Sequence, residues 1–173
     1  MTSDPLFSSQ PPAGLWEALQ SSSSRPRLHS RPLSSFEHGI SDVSELTDGE
    51  TTNRYDLLCP RAQCGSIVLK KGAAVMKERE SLQIESSDIP THPLLPPLPS
   101  VPESSQWWLV TPTPMAFENV GFSRPVESLP LSPSGKKLKL LACAECDLGP
   151  LGWSEEGGSE FWLACSRVGY RSG

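Results

Sequence analysis

The sequence predicts a mostly β protein: one small ordered domain clipped by a metal ion and preceded by a disordered tail. Three observations lead there. From Tyr55 onward the chain consists of short apolar runs rich in β-branched and aromatic residues, divided by Gly and Pro. Four of the five cysteines fall in two close pairs, Cys59/Cys64 and Cys143/Cys146. The first fifty residues hold 12 Ser and 5 Pro with no sustained apolar period, too little buriable surface to offset the entropy of ordering.

Composition sets the bounds. Of 173 residues 36% are hydrophobic, and 18 are Pro and 13 Gly, which leaves material for one domain whose core needs a disulfide, a metal or an oligomer to support it. The 15 Lys and Arg against 20 Asp and Glu give a formal charge of −5, which disfavours a partner held through phosphate contacts. The cysteine count is odd, and Met1-Thr2-Ser3-Asp4-Pro5 lacks the basic and apolar regions of a signal peptide. Paired cysteines in a reducing compartment read as metal ligands. No apolar run approaches the roughly 18–20 residues that span a bilayer. The expectation is a soluble, cytoplasmic monomer without a membrane segment.

Taken in order, residues 1–53 form the predicted tail. Leu15-Trp16-Glu17-Ala18-Leu19 is an apolar island long enough for one helical turn, either a docking motif or an isolated cluster. Arg25, Arg27 and Arg31, interrupted by Pro26 and Pro32, are too sparse for a basic patch. Predicted strands are 66–70, 73–77, 82–85, 107–111, 116–120, 138–143 and 160–168, with Lys70-Lys71-Gly72 as a hairpin turn. Between them, residues 86–105 carry Pro90, Pro93, Pro96, Pro97, Pro99 and Pro102 and read as an extended flexible loop. Its P-x-x-P spacings lack the flanking base of an SH3 ligand. Residues 123–137 read as a second flexible excursion.

The cysteine pairs stand as C-x4-C and C-x2-C, spacings that let one tight turn present two thiolates to one ion. Gly65 relaxes the first turn. With 78 residues between Cys64 and Cys143, a zinc ion on Cys59, Cys64, Cys143 and Cys146 clips the two ends of the domain together, and its binding energy becomes folding energy. A catalytic zinc keeps an open position and recruits His or carboxylate. His29, His38 and His92 all fall in segments read as disordered, so the site is read as structural. Cys165 shares a strand face with Phe161 and Leu163 and reads as a buried core thiol.

The runs Phe117-Glu118-Asn119-Val120-Gly121-Phe122 and Cys143-Ala144-Glu145-Cys146-Asp147-Leu148-Gly149-Pro150-Leu151-Gly152-Trp153, with the strand Phe161–Val168, resemble the Rab-interacting factor family, the mammalian suppressor of the yeast Sec-four mutation and its fungal relatives. The resemblance covers about residues 54–170. It implies a β-tent of two antiparallel sheets closed at one end by a four-cysteine zinc, with residues 54–171 as the Rab-binding domain. It implies exocytic Rab GTPases as partners, bound nucleotide-free, and action in vesicle transport as an exchange factor or a holding chaperone, in the cytoplasm with transient recruitment to membranes through Rab.

Partner-binding residues implied are Phe117, Glu118, Asn119, Phe122, Glu145 and Asp147. The first knuckle is C-x4-C where animal members have C-x2-C, and Glu145 stands where they carry Asp. Residues 111–116, Thr-Pro-Thr-Pro-Met-Ala, lack the acidic and aromatic residues of the animal loop. Glu118, Glu145 and Asp147 can oppose phosphates or pair with basic GTPase groups, while Phe117 and Phe122 lie on opposite faces by strand alternation, so core and surface compete for them. Asn119 and Gly121 also suit a turn or bulge.

Two other functions compete. A methionine-R-sulfoxide reductase has a similar tent and a catalytic cysteine, but Ala164-Cys165-Ser166-Arg167 lacks the Arg-x-Cys-x-Asn pattern and a base. A zinc-ribbon nucleic-acid binder is disfavoured by the acidic balance, Lys136, Lys137 and Lys139 being the only local basic cluster. What the resemblance implies is thus a GTPase regulator with no catalytic centre of its own.

Overall fold

A central run such as Phe161-Trp162-Leu163-Ala164, apolar at every position, fits only a strand covered on both faces, and the large sheet is built around it. The computed structural model describes residues 30–85 and 92–171. The described strands are β1 (Ser30–Pro32), β2 (Ser44–Thr47), β3 (Glu50–Asn53), β4 (Leu57–Leu58), β5 (Ile67–Leu69), β6 (Val75–Glu80), β7 (Ser104–Val110), β8 (Val120–Phe122), β9 (Leu138–Cys143), β10 (Gly152–Glu155), β11 (Phe161–Ala164) and β12 (Gly169–Arg171). They form a four-stranded sheet, β1-β12-β4-β5, and an eight-stranded sheet, β2-β3-β6-β7-β11-β10-β9-β8. Every pairing between these strands is antiparallel. The predicted class, mostly β with two antiparallel sheets, is the one observed.

Register assigns the faces. Trp108 lies opposite Leu163 and Trp107 opposite Ala164, so adjacent tryptophans enter two different cores. Trp108, Val110, Leu141, Leu163, Leu57, Val68 and Tyr170 form the inner core between the sheets. Tyr170 ties them: its hydroxyl accepts from Trp108 Nε1 at 2.9 Å and donates to the Cys165 carbonyl at 2.7 Å. On the outer face Trp107, Trp153 and Trp162 pack with Ile84, Leu129 and Leu138, and the Arg79 guanidinium lies 5.0 Å and 4.6 Å over the Trp153 and Trp162 rings.

The outer core corrects the reading of both excursions. From 92 on, the Pro-rich segment buries Leu95 completely in the inner core and packs Leu98 on the outer one, and 104–105 already belong to β7. Residues 86–91 lie outside the described residues. The 123–137 segment bridges Val126 to Leu138, with Val126 N–H donating to the Leu138 carbonyl at 2.8 Å, and buries Leu129. Arg167, 1% exposed, fastens the first segment by donating to the Pro96 carbonyl at 3.2 Å, the Pro150 carbonyl at 2.9 Å and the Glu85 carboxylate. Loops that cover an apolar sheet face are held by it, whatever their Pro content.

The tail boundary at residue 53 is likewise corrected. β1 anneals to β12, and β2 and β3 extend the large sheet. Between them the helix α1 (Ile40–Val43) buries Val43, and Phe36 stacks on Tyr55 at 6.2 Å and meets Tyr170 edge-on at 5.9 Å. A few well-placed apolar side chains suffice where a pre-existing sheet offers its edge. Gly169 permits the join, because a Cβ there would collide with the Ser30 hydroxyl. The Leu15–Leu19 island, Arg25, Arg27 and His29 lie outside the described residues, and His38 and His92 lie within them.

Other elements shift in ways the pairing explains. Lys70–Gly72 is a corner carrying the chain from β5 in one sheet to β6 in the other, so it is not a hairpin turn. The buried Asn53 side chain fixes that corner, donating to Tyr55 and Lys70 carbonyls and accepting from Ala74 N–H. Residues 82–85 form no strand but insert Ile84 into the outer core. The predicted 116–120 strand begins instead as a 3-10 turn over Pro114–Ala116, and 160–168 breaks at a second one over Cys165–Arg167.

Candidate metal centre

The turn of the β4–β5 hairpin carries the first cysteine pair, and the end of β9 carries the second. Cys59 N–H donates to the Ser66 carbonyl at 2.9 Å, and Cys64 and Gly65 N–H both donate to the Arg61 carbonyl at 2.9 Å. Gly65 has φ +58°, the left-handed conformation that a residue without Cβ takes freely. In the second knuckle Cys143 N–H donates to the Leu148 carbonyl and Asp147 N–H to the Cys143 carbonyl. Asp147 has φ +62°, a conformation that Asp tolerates better than most residues.

These turns converge. Cys59 Sγ lies 3.6 Å from Cys146 Sγ and Cys64 Sγ lies 3.7 Å from Cys143 Sγ, and all four sulfurs fall within 4.8 Å of one another. Cys59 and Cys143 are buried, Cys64 and Cys146 half-buried. The four are able to hold one metal ion. Burial pushes the Cys59 and Cys146 thiols up. At Cys64 burial pushes the same way, but hydrogen bonds from Ser66 and from the Cys143 and Cys146 thiols outweigh it and bring it down to about 7.

The segment implied to bind a partner lies between the knuckles. Glu118 N–H donates to the Val68 carbonyl at 2.9 Å and Asn119 Nδ2 to the Ile67 carbonyl at 2.9 Å, fastening it to β5. On its other side Ala144 N–H donates to the Asn119 carbonyl at 3.0 Å. Asn119 is thus a structural clamp. Glu118, Glu145 and Asp147 are exposed. Arg61, Gln63, Cys64, Ser66, Glu145 and Cys146 line one cleft.

Phe117 and Phe122 do not part to opposite faces as alternation predicts. The chain is not extended strand until Val120, so both rings turn the same way and meet at 6.0 Å, with Phe161 as a third member at 6.0 Å and 5.7 Å. All three pack on the inner core. Sequence reasoning missed Phe161 here, since only the register of β11 brings it near. It also missed the Ser66 hydroxyl, 3.2 Å from Cys143 Sγ and 3.3 Å from Cys64 Sγ; its place two residues after Cys64 was the one available signal. Cys165 is 1% exposed, and burial pushes its thiol up, the reverse of what a nucleophile requires. Among the described residues no helix is long and apolar enough to cross a membrane.

The fold and site define a two-sheet β domain whose sheets are joined at one end by a four-cysteine centre able to hold a metal. A model of the Mss4 protein family matches residues 52–170, and the chain belongs to that family, the one its sequence motifs resemble. A Schizosaccharomyces pombe protein named guanine nucleotide exchange factor MSS4 homolog is 42% identical over 53 residues, 31% of this chain and 45% of that protein. A Drosophila melanogaster protein of the same name is 29% identical over 129 residues, 73% of this chain and 92% of that protein. The match to the Schizosaccharomyces pombe relative thus spans under half of that protein's length.

Proposed function

We propose that this chain is an exchange factor or holding chaperone for exocytic Rab GTPases in vesicle transport, binding the nucleotide-free form and carrying one structural zinc ion. It works as a monomer in the cytoplasm, meets membranes only through its partner, and regulates a GTPase without a catalytic centre of its own. The observation that carries this reading is the Phe117–Phe122 segment, hydrogen-bonded to β5 on one side and to the second cysteine knuckle on the other. Segment and knuckle together present three exposed carboxylates, Glu118, Glu145 and Asp147. The names of the relatives as exchange factors support it.

Zinc fits the donors. Tetrahedral zinc at about 2.3 Å from each thiolate sets sulfurs about 3.8 Å apart, against 3.6 Å and 3.7 Å for the two closest pairs. With Cys59, Cys64, Cys143 and Cys146 as ligands it would supply a redox-inert cross-link between the sheets. The protein's own residues supply the recognition. A surface that binds empty GTPase better than loaded GTPase must, by reciprocity, weaken nucleotide binding by the same factor. Glu145, held on the knuckle, loses little freedom on pairing with a basic group, and Met115, 86% exposed, offers apolar area just before the Phe117–Phe122 segment in sequence.

Calorimetry against nucleotide-free, GDP-loaded and GTP-loaded Rab tests the reading. Truncating a desolvated charge pair costs about 2–5 kcal/mol, so Glu145→Ala should weaken the nucleotide-free complex at least about tenfold while Glu145→Asp retains most binding. Equal affinity for all three nucleotide states would refute the function. Equal affinity of wild type and Glu145→Ala at intact metal content would move the contact elsewhere.

A further inference from the structure

A four-thiolate centre around a divalent ion keeps net negative charge, and hydrogen bonds to its sulfurs spread that charge and fix their positions. Ser66 is the side chain placed to do this. Its hydroxyl lies within reach of one sulfur from each knuckle, Cys64 at 3.3 Å and Cys143 at 3.2 Å. Its own carbonyl is held by Cys59 N–H at 2.9 Å, so a third ligand residue fixes the serine backbone.

Once a metal is bound every thiol has lost its proton, and the hydroxyl is then the only donor in these two contacts. Its single proton is shared between a sulfur of the β4–β5 hairpin and one from the end of β9. The same group therefore links the two halves of the centre alongside the ion.

We propose that Ser66 is a positioning residue of the metal centre, its hydroxyl donating to the Cys64 and Cys143 thiolates and setting how tightly the ion is held. This rests on the metal reading above and goes beyond the four ligands. Loss of such a partner commonly costs 10–100-fold in metal affinity.

The test uses the full chain in an isosteric pair, Ser66→Thr and Ser66→Val, which differ in the hydroxyl but hardly in shape. Zinc affinity is read by competition with a chromophoric chelator, and the sulfur-to-metal charge-transfer band is read on cobalt-substituted protein. Ser66→Thr should hold zinc nearly as wild type does, and Ser66→Val should lose at least about tenfold and shift the cobalt band. Both changes are expected while the far-ultraviolet circular dichroism stays native. Equal affinities and equal bands for the two variants would overturn the assignment while leaving the centre intact. Wild-type protein that takes up neither zinc nor cobalt would instead overturn the metal reading itself, and this assignment with it.

Discussion

Stripping the metal with a chelator should remove most of the domain's stability, and the chain's own topology gives the size. Cys64 and Cys143, one sulfur from each knuckle, are separated by 79 positions. Treating the metal clip as a cross-link of that span, the loop-closure relation gives about 4.5 kcal/mol at 25 °C. The second link, Cys59 to Cys146 across 87 positions, adds little, because its ends are already near each other. Four uncompensated thiols at the sheet junction add to the loss. Against the roughly 5–15 kcal/mol available to a domain, this leaves the metal-free form marginal. Urea unfolding followed by tryptophan emission measures it: with an m-value of about 1.5 kcal/mol/M, the midpoint should fall by about 3 M on metal removal and return on adding zinc. Midpoints within about 0.5 M of each other would refute the argument, since the sheets would then be holding themselves together.

Two further outcomes follow from groups away from the centre. Arg167→Met keeps an apolar stem but strands the Pro96 and Pro150 carbonyls; at about 1–2 kcal/mol each the melting temperature should drop by roughly 6–12 °C, with new proteolytic cuts between residues 92 and 103, and an unchanged melting curve would show that the loop is held by Leu95 and Leu98 alone. Cys165, buried and with its thiol pushed up by that burial, should resist alkylation in the native protein and react only after unfolding, read by peptide mass spectrometry; labelling under native conditions would place it at an opening segment.

How far the sequence carries depends on the range of the interaction. The four cysteines were legible because each pair is local and its spacing alone sets the turn. β9 was legible to the residue, 138–143, because an apolar run ends at a ligand. The strands between residues 30 and 53 were not, since Ser and Pro counts averaged over fifty positions conceal Phe36 and the buried Val43, and the ring partners of Phe36, Tyr55 and Tyr170, lie farther along the chain. Arg167 read as a neighbour of Cys165 and serves as the anchor of the Pro-rich segment, a contact made 71 and 82 positions away. Alternation failed at Phe117 and Phe122 because it presumes extended backbone across a stretch that begins as a 3-10 turn.

The outer-face indoles have an optical consequence. Trp153 and Trp162 lie nearly parallel, 14° between planes with centroids 6.0 Å apart, and Trp107 meets Trp153 edge-on at 6.4 Å. Transition dipoles that close couple, so this face carries a built-in chromophore pair whose circular dichroism depends on the covering segments staying in place. Trp108, hydrogen-bonded to Tyr170 on the inner face, shares its core with Cys59 and Cys143. The two faces of one sheet thus act as separate spectroscopic channels, one registering loop detachment and the other disturbance at the joined end of the sheets.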